Sequence, residues 1–298
     1  MSQNRYAIES EDVRIVAMAK GAELVSLYHK IDKIEYMWSG NSEFWSKHSP
    51  VLFPIVGTLK SNTYYYAGKS YHLGRHGFAR DRLFTPTVTK ADELRFTLES
   101  DAETLRNFPF EFRFDIIYRL QNNRLSVIYQ VTNTGGGEMY FSVGAHPAFR
   151  VPIIEGTNYN DYFLEFSTPE LAGRWPISAE GLIEASEEPL LTDTTRLPLH
   201  KELFYRDALV FKNLRSNTVR LRSSKHAKGF ELKFPGFPFL GIWAAKDADF
   251  VCIEPWCGIS DSVNSSQQLR VKEGINILNP GKTFERSWEI SVGGEWPV

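Results

Sequence analysis

Two short stretches hold titratable side chains at places where the chain restricts them. In GAHPAFRVP, residues 144–152, His146 stands between small residues and a proline. Pro147 biases the backbone of His146 toward an extended conformation, and Gly144 and Ala145 leave room beside the imidazole. With an ordinary pKa of about 6.5, an imidazole held still can pass protons near neutrality. In VCIEPWCG, residues 251–258, Glu254 closes the apolar run Phe250 to Ile253 just before Pro255. A carboxylate at the end of a buried strand is costly unless it is paired or used. Burial also raises its pKa toward the range of a general base.

Two further segments add polar groups. SPVLFPIVGTLKSNTYYYAGKSYHLGRHGFARD, residues 49–81, opens on an apolar run ending in Gly57 and Lys60 and closes on Arg75-His76-Gly77-Phe78-Ala79-Arg80-Asp81. Glycine beside His76 permits a close approach to the backbone, and Arg75, His76 and Arg80 concentrate positive charge. Such a loop suits an oxygen-rich or anionic ligand, and it would equally serve as a solvated turn with Arg80 paired to a surface acid. Asp207 in FYRDALVF precedes an apolar strand, where it could cap a turn or accept from a ligand hydroxyl.

Other chemistries lack their residues. Neither GxxxxGK[ST] nor GxGxxG is present, so nucleotide cradles are unsupported. His72 and His76 are not set in HExxH, and Cys252 and Cys257 lack the second pair of a structural zinc site. His76, His146 and Glu254 could still make a two-His, one-carboxylate metal site.

The elements that must position these groups are strands. In FEFRFDIIYRL, residues 110–120, every even position is Phe, Ile, Tyr or Leu, which predicts a strand with one wet face. RLSVIYQVTN repeats the period, with Leu125, Val127, Tyr129 and Val131 on one face, and QNNR between the two reads as a hairpin turn. TNTGGGE is another turn, and YFSVGAH, NTVRLRS and SWEISV resume the extended pattern. Helical periodicity is scarce; SEFW and ADELRF suit a turn or two at most. No repeat, linker or charge block divides the chain. Many short strands with closely spaced turns predict an all-β fold, a large β-sandwich of mostly antiparallel strands, as one domain over residues 1–298.

Composition bounds the partners. Of 298 residues, 42% are hydrophobic and 23% charged, with a net charge of −2, so the basic surface needed to hold nucleic acid is missing. No run of 18 apolar residues exists, and the polar start MSQNRYAIESEDVRIV lacks a secretory h-region. Two cysteines are too few for a disulfide framework, which makes the cytoplasm the expected compartment, with both thiols reduced. Aromatic residues reach 14%. Most suit a β core, but ring faces also stack on pyranoses, and Trp256 beside Glu254 is the candidate platform.

In order and spacing, His76-Gly77, His146-Pro147 and Cys252-Ile253-Glu254, together with SPVLFPIVG, HGFARD and CIEPW, resemble the aldose 1-epimerase (mutarotase) superfamily over nearly the whole chain. The detail is similar to its LacX-like branch, and HGFAR is shared with hexose-6-phosphate 1-epimerases. The resemblance implies a large β-sandwich and an isomerase that interconverts sugar anomers. It implies that Glu254 takes the proton of the anomeric hydroxyl and His146 protonates the ring oxygen, the two facing each other across the ring. His76 would hold a ring-side oxygen and Asp207 hydroxyls on the far side, with Arg80 and Lys60 as further substrate contacts. Lys60 stands where galactose-specific members carry arginine. No metal or organic cofactor is implied; the partner is a small-molecule sugar, without nucleic acid or membrane, and the protein a monomer or homodimer. A hexose 6-phosphate is the rival substrate, since Lys60, Arg75, Arg80 and Arg150 could clamp a phosphate. A non-catalytic sugar binder on the same fold is the other alternative.

Overall fold

A computed structural model describes residues 4–296; residues 1–3 and 297–298, which the expected single domain includes, lie outside them. The period of two becomes a nine-stranded sheet. At its middle Phe112–Gln121 and Arg124–Asn133 form the expected hairpin, turning at Asn122 with φ 52°, and Thr283–Glu295 pairs with the latter strand antiparallel. Phe112, Phe114, Ile116, Tyr118 and Leu120 are all buried, as are Leu125, Val127, Tyr129 and Val131. The other face of Phe112–Gln121 is less wet than its pattern implies. Asp115 and Ile117 are buried there, Asp115 under ion pairs to Arg95 and Arg113 and a hydrogen bond from Thr97.

Two smaller sheets cover the inner face. One has four strands from Arg5–Glu9 to Ile34–Glu35. The other has five: Val143–Gly144, Ala148–Arg150, Leu209–Lys212, Phe239–Trp243 and Phe250–Cys257. Phe149 of the five-stranded sheet meets Phe230 of the large one at 4.4 Å between ring centroids, and Phe211 meets Phe166 at 6.3 Å. On the four-stranded side Tyr6 packs on Phe96 at 5.9 Å. The layers therefore share one continuous apolar cluster, and each fully buried large side chain in it contributes about 1.5–3 kcal/mol. The architecture is a β-sandwich.

Three local expectations change. ADELRF is not helical but enters the strand Glu93–Glu99, whose inward Leu94, Phe96 and Leu98 keep period two. Ala102–Asn107 is an α-helix absent from the sequence reading; Asp101 caps it by accepting from the N–H groups of Glu103 and Thr104, and Thr104 Oγ1 accepts in turn from the Asp101 N–H. Finally, Glu254 does not end its strand, which continues through Pro255 and Trp256 to Cys257. SEFW does close a single turn, Trp45 N–H bonding to the Asn41 carbonyl. Among the described residues no helix is long and apolar enough to cross a membrane.

Candidate active site

The period of the Phe250–Cys257 strand turns Cys252, Glu254 and Trp256 to one face. The loop carrying His146 is tied to that strand on both sides of the imidazole: Ala145 N–H donates to the Pro255 carbonyl at 3.0 Å, and Ile253 N–H to the Pro147 carbonyl at 3.3 Å. This double tether brings His146 Nε2 to 3.3 Å from Glu254 Oε2. Trp45 stacks on the imidazole at 5.0 Å and 26°, while Trp243 and His76 meet it edge-on at 5.7 and 5.6 Å.

His76 is fixed by an unusual backbone. Its φ is +67° and that of Gly77 +70°, and a Cβ on Gly77 would lie 2.4 Å from the Phe53 carbonyl oxygen. His76 N–H donates to the Gly57 carbonyl at 2.8 Å, and Gly57 N–H returns a bond to His76 Nδ1 at 3.0 Å. Nδ1 is therefore an acceptor, which assigns the proton of the neutral ring to Nε2. Burial and the nearby His146, Arg75 and Arg80 all keep the ring neutral, holding its pKa well below the ordinary value.

These groups enclose a cavity of about 330 Å³. Glu254, His146, His76, Asp207, Arg80 and Trp256 all line it, with Arg75. Asp207 Oδ1 accepts from Ala208 N–H at 2.7 Å and lies 3.7 Å from Arg75 Nη2 at the cavity wall. Lys60 is not among the lining residues. Its Nζ donates to the Val263 carbonyl at 2.7 Å, because the chain turns away after Gly57. Arg150 faces a separate depression with His48 and Glu35, so the four-cation phosphate clamp is divided and only Arg75 and Arg80 reach the site. A roomier depression beside Asp81 and Arg113 is walled by Arg82, Asp101 and Glu103, charges that already satisfy one another.

The cavity also contains residues the sequence reading passed over: Trp45, Trp243 and Ser260. Trp45 lay in a stretch read only as a turn, and Trp243 closes the strand Phe239–Trp243, whose other residues are all buried; neither carries a local mark. The YYY run stays outside it, Tyr64 and Tyr66 packing in the core and Tyr65 half-exposed.

Electrostatics follow from burial. Glu254 is 1% exposed, and its carboxyl is pushed well above the usual carboxylate range, with Arg75 pulling it back and Asp207 adding to the rise. The Trp256 indole N–H acts weakly against the rise, yet it has no hydrogen-bond partner of proper geometry among the described residues. Burial lowers His146 to about 3, and its Nδ1 is also unpartnered. Both orphaned atoms sit on cavity-lining residues, where a ligand's oxygens could meet them. A two-His, one-carboxylate metal set of His76, His146 and Glu254 is disfavoured by the His76 tautomer, which leaves that ring without a free lone pair.

Trp256 depends on glycine at two flanking positions. A Cβ on Gly241 would meet its six-membered ring at 2.5 Å, and one on Gly144 its Cδ1 at 2.8 Å. Gly241→Ala is expected to push the indole out of place, raising KM several-fold while kcat changes less, at a cost of about 1–3 kcal/mol in stability. Steady-state kinetics with a urea titration checks this; an unchanged KM would show that Trp256 is not a substrate platform.

Residues 4–291 match the family model described as aldose 1-epimerase. The chain belongs to the aldose 1-epimerase family. Protein LacX of Lactococcus lactis, in its chromosomal form, is 32% identical over 294 residues, covering 96% of this chain and 98% of that protein. A galactose mutarotase related enzyme from Lactobacillus acidophilus superposes with a TM-score of 0.92 at 36% identity, covering 97% of each chain. A galactose mutarotase-like protein from Lactobacillus casei does so at 0.89 and 30%, covering 97% of this chain and 99% of that one. The sandwich is thus that of the galactose mutarotase-like aldose 1-epimerases, and the family class is that of carbohydrate isomerases.

Proposed function

We propose that the protein is an aldose 1-epimerase interconverting the α and β anomers of an unphosphorylated hexose, with Glu254 and His146 as base and acid. The observation that carries this is the 3.3 Å contact between His146 Nε2 and Glu254 Oε2 at the cavity wall. The two oxygens to be served, the anomeric hydroxyl and the ring oxygen, are bonded to the same carbon. An acid and a base held side by side can reach both oxygens from one wall, and these two are held so.

The pair titrates as a unit. Burial raises one member and lowers the other, so at neutral pH the pair retains one proton. Its Glu254-carboxylate, His146-imidazolium form is the reactive one. Glu254 accepts the proton of the anomeric hydroxyl, C1=O forms, the C1–ring oxygen bond breaks, and His146 Nε2 protonates the departing ring oxygen. The pair is left as carboxylic acid and neutral imidazole, the uncharged form that a buried site favours. Rotation about C1–C2 and reversal of the transfers close the other anomer. His76 Nε2–H donates to a sugar oxygen meanwhile, and no step needs a cofactor.

The pH profile follows. Activity is expected to hold on the acid side well below neutrality, since a second proton enters the pair only near the lowered His146 value of about 3. It falls on the alkaline side, where the pair loses its proton. Rates of catalysed exchange from pH 4 to 10, corrected for the spontaneous reaction, measure this; loss of activity between pH 7 and 5 would contradict it. Exchange NMR with glucose, galactose and glucose 6-phosphate tests the substrate. Acceleration confined to the phosphate ester would instead make Arg75 and Arg80 a phosphate clamp, and acceleration of none would favour a sugar binder.

A further inference from the structure

The proton-transfer scheme leaves one nucleophile beside Glu254, behind the cavity lining, unused. Cys252 precedes Glu254 by two residues on one strand, shares its face and is fully buried. A ring nitrogen of His146, the Cys252 sulfur and a Glu254 oxygen lie within 4.8 Å of one another. His146 turns Nε2 toward Glu254 within this grouping, on a side chain only 8% exposed. We propose that His146, Cys252 and Glu254 form a site for a zinc-type divalent cation, and that this cation and the sugar exclude each other. The exclusion rests on the acid–base reading above; the binding does not.

Geometry and chemistry both favour it. Two ligands about 2.0–2.1 Å from a tetrahedral zinc stand about 3.3–3.4 Å apart, and His146 Nε2 and Glu254 Oε2 stand at 3.3 Å. A thiolate at about 2.3 Å from the same ion requires separations of about 3.6 Å, within reach of a small movement of the short Cys252 side chain. Mixed nitrogen, sulfur and oxygen donors select a zinc-type ion over Mg²⁺ or Ca²⁺, which take oxygen ligands. Thiolate and carboxylate together cancel the two charges of the ion, which suits a buried wall. Arg75 and Arg80 oppose the cation, although Arg75 is drawn toward Asp207. A water from the cavity completes the tetrahedron. On binding, the thiol proton and the proton held by the His146–Glu254 pair leave to solvent, so the metal-loaded pair can neither accept nor donate one.

Cobalt(II) is the probe, added to the intact protein. Expected are one ion per chain, a thiolate-to-cobalt charge-transfer band, and displacement by Zn²⁺. Cys252→Ser should abolish the band and weaken binding by about 100-fold or more, since even outer-shell changes cost 10–100-fold. Cys252→Ala, checked by circular dichroism, guards against misfolding of the first variant. Cys257→Ser should keep the band, because Cys257 lies on the opposite face of the strand. With an active sugar, Zn²⁺ should raise KM in the wild type and lose that effect in Cys252→Ser, each compared with its own metal-free rate. No charge-transfer band at millimolar cobalt, or a band that survives in Cys252→Ser, overturns the site. A cobalt band in a protein inactive toward every aldose would uphold the site while overturning the acid–base reading.

Discussion

Glu254→Gln should slow catalysed anomer exchange by about 10²–10⁴-fold, the contribution of a single positioned acid or base. The substitution keeps the shape of the side chain and its neighbours Cys252 and Trp256, and an amide can still hydrogen-bond to His146. What it removes is the ability to receive the proton of the anomeric hydroxyl. Sugar affinity should therefore change little, because the aromatic walls and the donor of His76 remain. Saturation-transfer NMR on wild type and variant, with sugar binding measured separately, gives both quantities. A rate within about threefold of wild type would remove Glu254 from the base role. Equal loss of rate and of binding would make it a sugar ligand instead. His146→Gln serves as the companion: if the two act as one proton-holding unit, the double variant should lose hardly more than either single one.

Most of the architecture could be read from period two, because a strand half-buried in a sandwich writes its burial into alternate residues. Where that failed, a local competitor was responsible. Asp115 and Ile117 sit on a face that long arginines cover, so the face is polar in type yet buried. The helix Ala102–Asn107 is too short to show a hydrophobic period and declares itself only through the cap at Asp101. His146 and Glu254 were visible as titratable groups beside prolines. Their contact was not, since it depends on bonds from Ala145 and Ile253 between segments more than a hundred residues apart. Trp45, Trp243 and Ser260 reach the cavity the same way, by long-range approach. Lys60 shows the converse: three residues from a cavity-lining glycine, it points its ammonium at a carbonyl elsewhere.

The same Glu254→Gln variant should also become progressively more stable than the wild type as pH rises. In the unfolded chain the carboxyl titrates near 4.5 and the imidazole near 6.5; in the folded chain burial moves the first up and the second down to about 3. Between pH 4.5 and 6.5 each state of the wild type holds one proton on this pair, so the pair adds no slope. Above 6.5 the unfolded chain has released both protons while the folded chain keeps one. Folding stability then falls with rising pH, by up to about 1.4 kcal/mol per unit. The variant lacks that retained proton and its curve stays level above 6.5. From pH 6 to 8 the difference between variant and wild type should therefore widen, read from urea denaturation at the two pH values. A constant difference would mean that Glu254 is ionised in the resting protein and the pair holds no proton. His146 would then have to obtain its proton from solvent before each ring opening, and the flat acid side expected of the rate profile would have to go with it.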